Sequence, residues 1–228
     1  MQMTDLRAIP GVSECDLTDE IVAQLPSSSP PAPWDARCTA VMWGGRAPRT
    51  AAAAAGRELV GDGKAVAVIG GFVSYSSTPV GQYHEVLGAV GVRNGRAVVG
   101  TVPFMAVDLP ASLVGGRANW SLPKTLATFT GEPGSGDLLT ADGNGWSVRA
   151  RVRVIGPWLP APMKGRIAQL WPDGIVRASN NTGKARMRPA IVKVEVRSTG
   201  SLGTWLTSGR HFGCVLDGGF TLDEARPL

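Results

Sequence analysis

The sequence predicts a mainly β (α+β) fold: a large twisted antiparallel sheet closing into a cone or barrel-like cavity, with a few short helices. Three observations carry this expectation. Gly 30 and Pro 17 in 228 residues punctuate the chain too often for a helical bundle. Several stretches alternate apolar and polar residues with period two, the pattern of a strand buried on one side. An Asn94-Gly95 pair sits between two apolar runs, as a tight hairpin requires.

Taken in order, Leu17–Leu25 reads as a short helix capped by Asp16, and PSSSPPAP at Pro26–Pro33 as an extended arm, because proline fixes φ and removes donors. Residues 1–34 are thus a lead-in, and 35–228 one β domain. Ala36–Trp43 is a strand and the alanine run Ala51–Ala55 one or two turns of helix. Lys64–Tyr75 is a long strand in which Gly70 and Gly71 mark a bulge or a close backbone approach. Tyr83–Val92 and Arg96–Val107 form a hairpin across Arg93, Asn94 and Gly95, with Asn-Gly supplying the positive φ values of a type I′ turn. Val107–Gly116 is a short helix with Asp108 as N-cap, Pro110 in the first turn, and Gly115 and Gly116 at its end. Trp146–Val154 alternates strictly, placing Arg149, Arg151 and Arg153 on the wet face. Further strands are expected at Gly165–Leu170, Ile175–Ala178, Ile191–Val196 and Arg210–Leu216.

Composition removes several functional classes. A chain 43% hydrophobic and 18% charged is not disordered. Its longest apolar run, Ala65–Val73, falls short of the roughly 20 residues of a spanning helix, so no membrane partner is expected. The N-terminal stretch is acidic where an export signal is basic and then apolar, so the cytoplasm is the expected location. Cys15, Cys38 and Cys214 are widely spaced and lack a CxxC, which reads as reduced thiols. Two histidines cannot build a multi-histidine metal site, and no dinucleotide or phosphate-loop motif occurs; no metal and no cofactor is expected. Net charge is +5 but uneven: residues 149–210 hold 12 basic and 2 acidic side chains. The alternation at Trp146–Val154 accounts for part of that excess, and aromatics are not interleaved with the basic residues, so nucleic acid is not an expected partner.

Two stretches carry the chemistry. In TPVGQYHEV, a Pro/Gly turn feeds the first hairpin strand, along which Tyr83, Glu85 and Leu87 share one face while Val86 and Val90 share the other. Glu85 is thereby a carboxylate aimed at apolar surroundings, where it needs a partner or a raised pKa. His84 faces away from it. In GGRANWSLPKT, Lys124 is the sole charged residue between Arg117 and Glu132. Desolvation of a buried amine lowers its pKa, and a free amine adds to a ketone to form a Schiff base.

These two runs resemble the acetoacetate decarboxylase superfamily, whose members carry a G-P-Y-x-E-like strand entry followed by a G-R-E-x-x-x-x-P-K element. The resemblance covers residues 30–130 best. It implies that Lys124 is the Schiff-base lysine, Glu85 the active-site glutamate and Arg117 the motif arginine. Tyr83, Tyr75 and Trp120 join Arg117 as candidate substrate-binding residues. Departures are specific: Thr125 stands where a second lysine follows, Ala118 where a glutamate follows the arginine, and a second pocket glutamate falls on Gly70 or Gly71. They weigh against acetoacetate as substrate more than against amine chemistry. The resemblance implies a Schiff-base-forming lyase acting on a keto acid or ketone, by decarboxylation or aldolase-dehydratase chemistry, in a homo-oligomer. The competing reading is a non-catalytic small-molecule-binding protein that retains the fold.

Overall fold

The computed structural model describes residues 6–95 and 97–228. Its strands are β1 (Trp34–Arg46), β2 (Lys64–Ser77), β3 (Tyr83–Asn94), β4 (Ala97–Val107), β5 (Lys124–Leu126), β6 (Thr128–Thr130), β7 (Leu139–Gly143), β8 (Trp146–Val154), β9 (Leu159–Leu170), β10 (Val176–Ser198), β11 (Gly209–Leu222) and β12 (Arg226–Pro227). The short helices are α1 (Asp19–Val22), α2 (Ala51–Ala55), α3 (Arg57–Val60), α4 (Pro110–Trp120) and α5 (Leu202–Trp205). None is long and apolar enough to cross a membrane.

Strand order β11-β1-β2-β3-β4-β9-β10, with β10 pairing β11 again, closes a ring. Its neighbours are antiparallel except β4 and β9, which meet in parallel at Gly100 and Ile167. This is the cone-like sheet expected from the sequence. Period-two alternation sorts the ring residues. Ala36, Cys38, Ala40 and Met42 of β1 face an internal cavity, while Val41 and Trp43 point outward into the main core. That core is completed by the β7–β8 meander (Leu139, Val148), the distal half of β10 (Val192, Val194) and α5 (Leu202, Trp205).

Several elements differ from the sequence reading. Thr18, not Asp16, caps the first helix by accepting the Ile21 amide, and Leu17 is drawn into the core just ahead of it, so the helix shortens to Asp19–Val22. Gly70 and Gly71 mark a close approach and no bulge: a Cβ at either position would meet the Trp43 ring or the Met42 sulfur of β1, and the register shifts of β2 lie instead between Ala65 and Ala67 and between Tyr75 and Ser77. Asn94 remains in β3, paired with Ala97, so Gly95 alone supplies a positive φ of 58° among the described turn residues; residue 96 lies outside them. The segments Ile175–Ala178 and Ile191–Val196 fall near the two ends of β10, which begins at Val176 and runs to Ser198. The polar stretch between them stays extended because β9 and β11 flank it and accept its backbone bonds.

The helix α4 departs furthest from expectation. It begins at Pro110 and runs on to Trp120, with Leu109 at the cap position and Ser121 ending it in the left-handed region (φ 53°, ψ 31°). Gly115 and Gly116 lie inside the helix, where side chains from elsewhere crowd them. Asp108 binds His84 rather than capping.

Candidate active site

Lys124 opens β5, a three-residue strand running parallel to the end of β4, with Met105 opposite it. Its backbone is fixed by Arg117, whose Nε donates to the Lys124 carbonyl at 2.6 Å. Its side chain then crosses Gly116 of α4 so closely that a Cβ there would lie 2.5 Å from Lys124 Cδ. Glycine inside a helix costs roughly 0.5–1 kcal/mol relative to alanine, and here the missing Cβ is the channel through which the lysine reaches the cavity. Glu85 arrives from β3, on the inward face that Tyr83 and Leu87 share.

Lys124 Nζ donates to Glu85 Oε2 at 2.8 Å and to Ser112 Oγ at 3.0 Å. Tyr75 donates its hydroxyl to the other carboxylate oxygen at 3.2 Å. The Tyr83 ring centroid lies 5.1 Å from Nζ and 4.5 Å from that of Tyr75, with the two rings tilted by 30°. Lys124, Glu85, Tyr75 and Tyr83 border a cavity of about 300 Å³ whose remaining wall is mostly apolar, with Met105 and Leu122 beside the lysine and Trp34 and Trp120 packed edge to face at 5.1 Å. Trp120 directs its indole N–H out of the cavity, to the Asp223 carbonyl at 2.7 Å.

The electrostatics correct one expectation. Desolvation is the largest influence on Lys124 and lowers its pKa, but Glu85, Tyr83 and the hydrogen bonds outweigh it, so the net direction is upward. The resting lysine is an ammonium ion held by a carboxylate. Burial and the Glu85 charge drive the Tyr75 hydroxyl well above its usual value; burial raises Tyr83 too, with Lys124 pulling the other way. Both tyrosines are therefore neutral phenols at neutral pH, and Tyr75 is the one that donates to Glu85.

Arg117, expected beside the substrate, does not reach the cavity wall. It is buried, and its remaining donors bind the carbonyls of Leu6 and Cys15 at 2.6 Å each. A guanidinium offers several diverging N–H groups, which suits it to tying the N-terminal lead-in, α4 and β5 together at one point. Burial lowers its pKa to about 10, which leaves it charged at neutral pH.

Two residues around the Lys124–Glu85 pair escaped the sequence reading. Ser112, fully buried, accepts from Lys124. It precedes Gly116 by one helical turn, so the two share the face across which the lysine runs, a relation visible only once both are assigned to the same helix. Cys38 lines the cavity opposite Tyr75 on the neighbouring strand, and burial, with Glu85 adding to it, pushes its thiol to about 12, so it acts as a small apolar group. Outside the cavity, His84 is clamped by Asp108 at 2.7 Å and Glu132 at 2.8 Å. It points away from Glu85 as the strand period requires.

The geometry can now be set beside known proteins. The family model for acetoacetate decarboxylase matches residues 64–154, a stretch that contains Glu85, Arg117 and Lys124. No curated protein matches the sequence. Among solved structures, the enduracididine biosynthesis enzyme MppR complexed with pyruvate aligns with a TM-score of 0.64 at 16% identity, over 88% of this chain and 92% of that one. Acetoacetate decarboxylase from Legionella pneumophila subsp. pneumophila str. Philadelphia 1 aligns with a TM-score of 0.61 at 16% identity, over 89% and 90%. An acetoacetate decarboxylase-like enzyme from Sphingomonas wittichii RW1 gives 0.54 at 16% identity, over 86% and 92%. At such identities the shared property is the fold. The chain is thus similar to the acetoacetate decarboxylase family over residues 64–154 and shares the acetoacetate decarboxylase-like fold over most of its length.

Proposed function

We propose that this protein is a Schiff-base-forming carbon–carbon lyase of ketone or keto-acid substrates, with Lys124 as the nucleophile and Glu85 as its proton partner. The observation that carries the reading is a buried amine, 2.8 Å from a buried carboxylate, on the wall of an apolar cavity. Such a site excludes water and leaves the amine a single route to neutrality: transfer of its proton to Glu85. The amine then adds to the substrate carbonyl. Glu85 returns the proton to the carbinolamine oxygen, which leaves as water, and an iminium remains. One cation has replaced another beside the same carboxylate, so the charge balance of the buried site is unchanged. Tyr75 and Ser112 keep Glu85 and Lys124 aligned through their hydrogen bonds. The pyruvate complex of MppR supports a carbonyl compound as the ligand class. Homo-oligomerisation and a cytoplasmic location are part of the proposal on the family likeness.

Borohydride reduction in the presence of a carbonyl panel tests the reading. The expected result is a stable mass adduct that peptide mapping assigns to Lys124; absence of an adduct with every member would overturn it. The upward direction of the Lys124 pKa favours one second reading, in which the ammonium–carboxylate pair holds a ligand by hydrogen bonds without reacting. Saturable ligand binding with no covalent adduct would establish that reading instead.

A further inference from the structure

Resting on Lys124 as the reactive amine, we infer that the cavity takes an uncharged carbonyl compound carrying a bulky apolar substituent, and not a keto acid. The first reason is charge. The floor holds one ammonium and one carboxylate, and among the lining residues the other cation is Arg166. Arg166 is exposed on β9, away from the buried pair, and also borders a separate surface depression lined by Asp223 and Glu224. A keto-acid carboxylate entering the cavity would be a second anion beside Glu85, sharing one cation in a low-dielectric site. An unpaired buried charge of that kind costs far more than its contacts return. An uncharged carbonyl avoids the penalty, since iminium replaces ammonium one for one.

The second reason is the wall. Ala40, Met42, Leu87, Met105, Leu216 and Phe220 present hydrocarbon or aromatic surface to the cavity and contribute no side-chain donor. About 300 Å³ corresponds to roughly ten waters of liquid volume, room for a ring-sized substituent beside the carbonyl. The apolar surface continues to the rim. Ile69 lines the cavity, and Gly44 of β1 pairs with Ile69 on one side and Phe212 on the other, so both side chains stand on the cavity face. They are 42% and 79% exposed, so apolar surface on that sheet face extends beyond the cavity wall to solvent.

A substrate without a carboxylate has no carbon dioxide to lose, and the carbon–carbon bond an iminium can break is then that of a β-hydroxy ketone. Glu85 takes the hydroxyl proton, the bonding pair between the α and β carbons flows into the iminium, and an aldehyde departs from the enamine. Glu85 returns the proton to the enamine carbon. One water hydrolyses the iminium, releasing the ketone and restoring Lys124 as the ammonium.

The test compares 4-phenylbutan-2-one with acetoacetate and pyruvate at equal concentration under cyanoborohydride, scoring intact mass and mapping the labelled peptide in the unmodified protein. The expected result is labelling of Lys124 by the phenyl ketone at least about tenfold above either keto acid, as a charge penalty above roughly 1.4 kcal/mol requires. Keto-acid labelling of Lys124 equal to or above the ketone would overturn the substrate class while leaving the amine chemistry standing. No labelling of Lys124 by any of the three would remove the amine chemistry and this inference together.

Discussion

Lys124 and Glu85 meet at 2.8 Å with side chains 4% and 3% exposed, although 38 residues separate them in the chain. A pair so deeply buried binds its partners by mutual dependence. Lys124→Met or Glu85→Gln alone leaves one charge stranded, and each is expected to destabilise the fold by about 3–5 kcal/mol. The double variant is expected to cost less than the sum of the singles. Urea unfolding of the four proteins in a double-mutant cycle measures the coupling; additivity within about 0.5 kcal/mol would mean the two side chains do not sense one another.

The direction of the Lys124 shift has its own consequence for pH. A lysine held above its ordinary value contributes stability that is full below that value and lost as pH rises through the higher folded value. Replacing Glu85 by Gln removes the main group that raises it and leaves desolvation, which lowers it. Reductive labelling of Lys124 is therefore expected to rise at lower pH in Glu85→Gln than in the parent protein. An unchanged labelling profile would show that the carboxylate does not control the amine.

Gly116→Ala opposes two effects of known sign. Alanine favours the helix by up to about 1 kcal/mol, yet its methyl would fall 2.5 Å from Lys124 Cδ, within a buried side chain pinned at both ends. Displacement is expected to win, with labelling of Lys124 reduced by about tenfold, since positioning errors near 1 Å have far larger effects than that. A more stable variant with full labelling would show slack packing at this crossing.

Arg117→Ala would leave the carbonyls of Leu6, Cys15 and Lys124 without their donor, at about 1–3 kcal/mol for each buried acceptor. Arg117→Lys is expected to recover little, because one ammonium cannot reach all three directions. Thermal unfolding and proteolysis of the N-terminal lead-in read the loss; a lysine variant as stable as the parent would show that charge, not geometry, is what this position supplies.

His84 lies between two carboxylates on the outer surface. Desolvation lowers its pKa, but the bonds to Asp108 and Glu132 raise it further, and the net direction is up; for Glu132, desolvation raises and His84 and Ser74 lower, with a net fall. The histidine term is present below its ordinary value of 6.5 and fades as pH rises through the higher folded value, while the Glu132 term is present above 4.5 and fades as pH falls through its lowered one. The clamp is thus strongest between those limits. In His84→Ala, the decline of stability from pH 6 to pH 9 is expected to flatten, as followed by melting temperature; an identical slope would show the clamp to be silent.

Much of this was legible in the residues. Period two at Trp146–Val154 and at Tyr83–Leu87 sorts side chains to opposite sheet faces, because successive Cβ atoms alternate. Burial follows that alternation in β8 and along the cavity face of β3. Local signals misled where distant groups compete: Asp108 has the chemistry of a cap but its acceptors are taken by His84, and Gly115 and Gly116 look like a stop yet stand where Trp34 and Lys124 cross the helix.

What the sequence determined by itself was the class of sheet, the face on which Glu85 lies and the isolation of Lys124 among uncharged neighbours, all matters of period and spacing. What only the tertiary structure decided was which groups meet. It sent Arg117 to three carbonyls, brought Ser112 to the amine and turned a lysine expected to lose its proton into one that holds it. The physical reason is that the charge state of a buried group depends on the balance between desolvation, which burial alone imposes, and a partner a few ångströms away, which chain order does not encode.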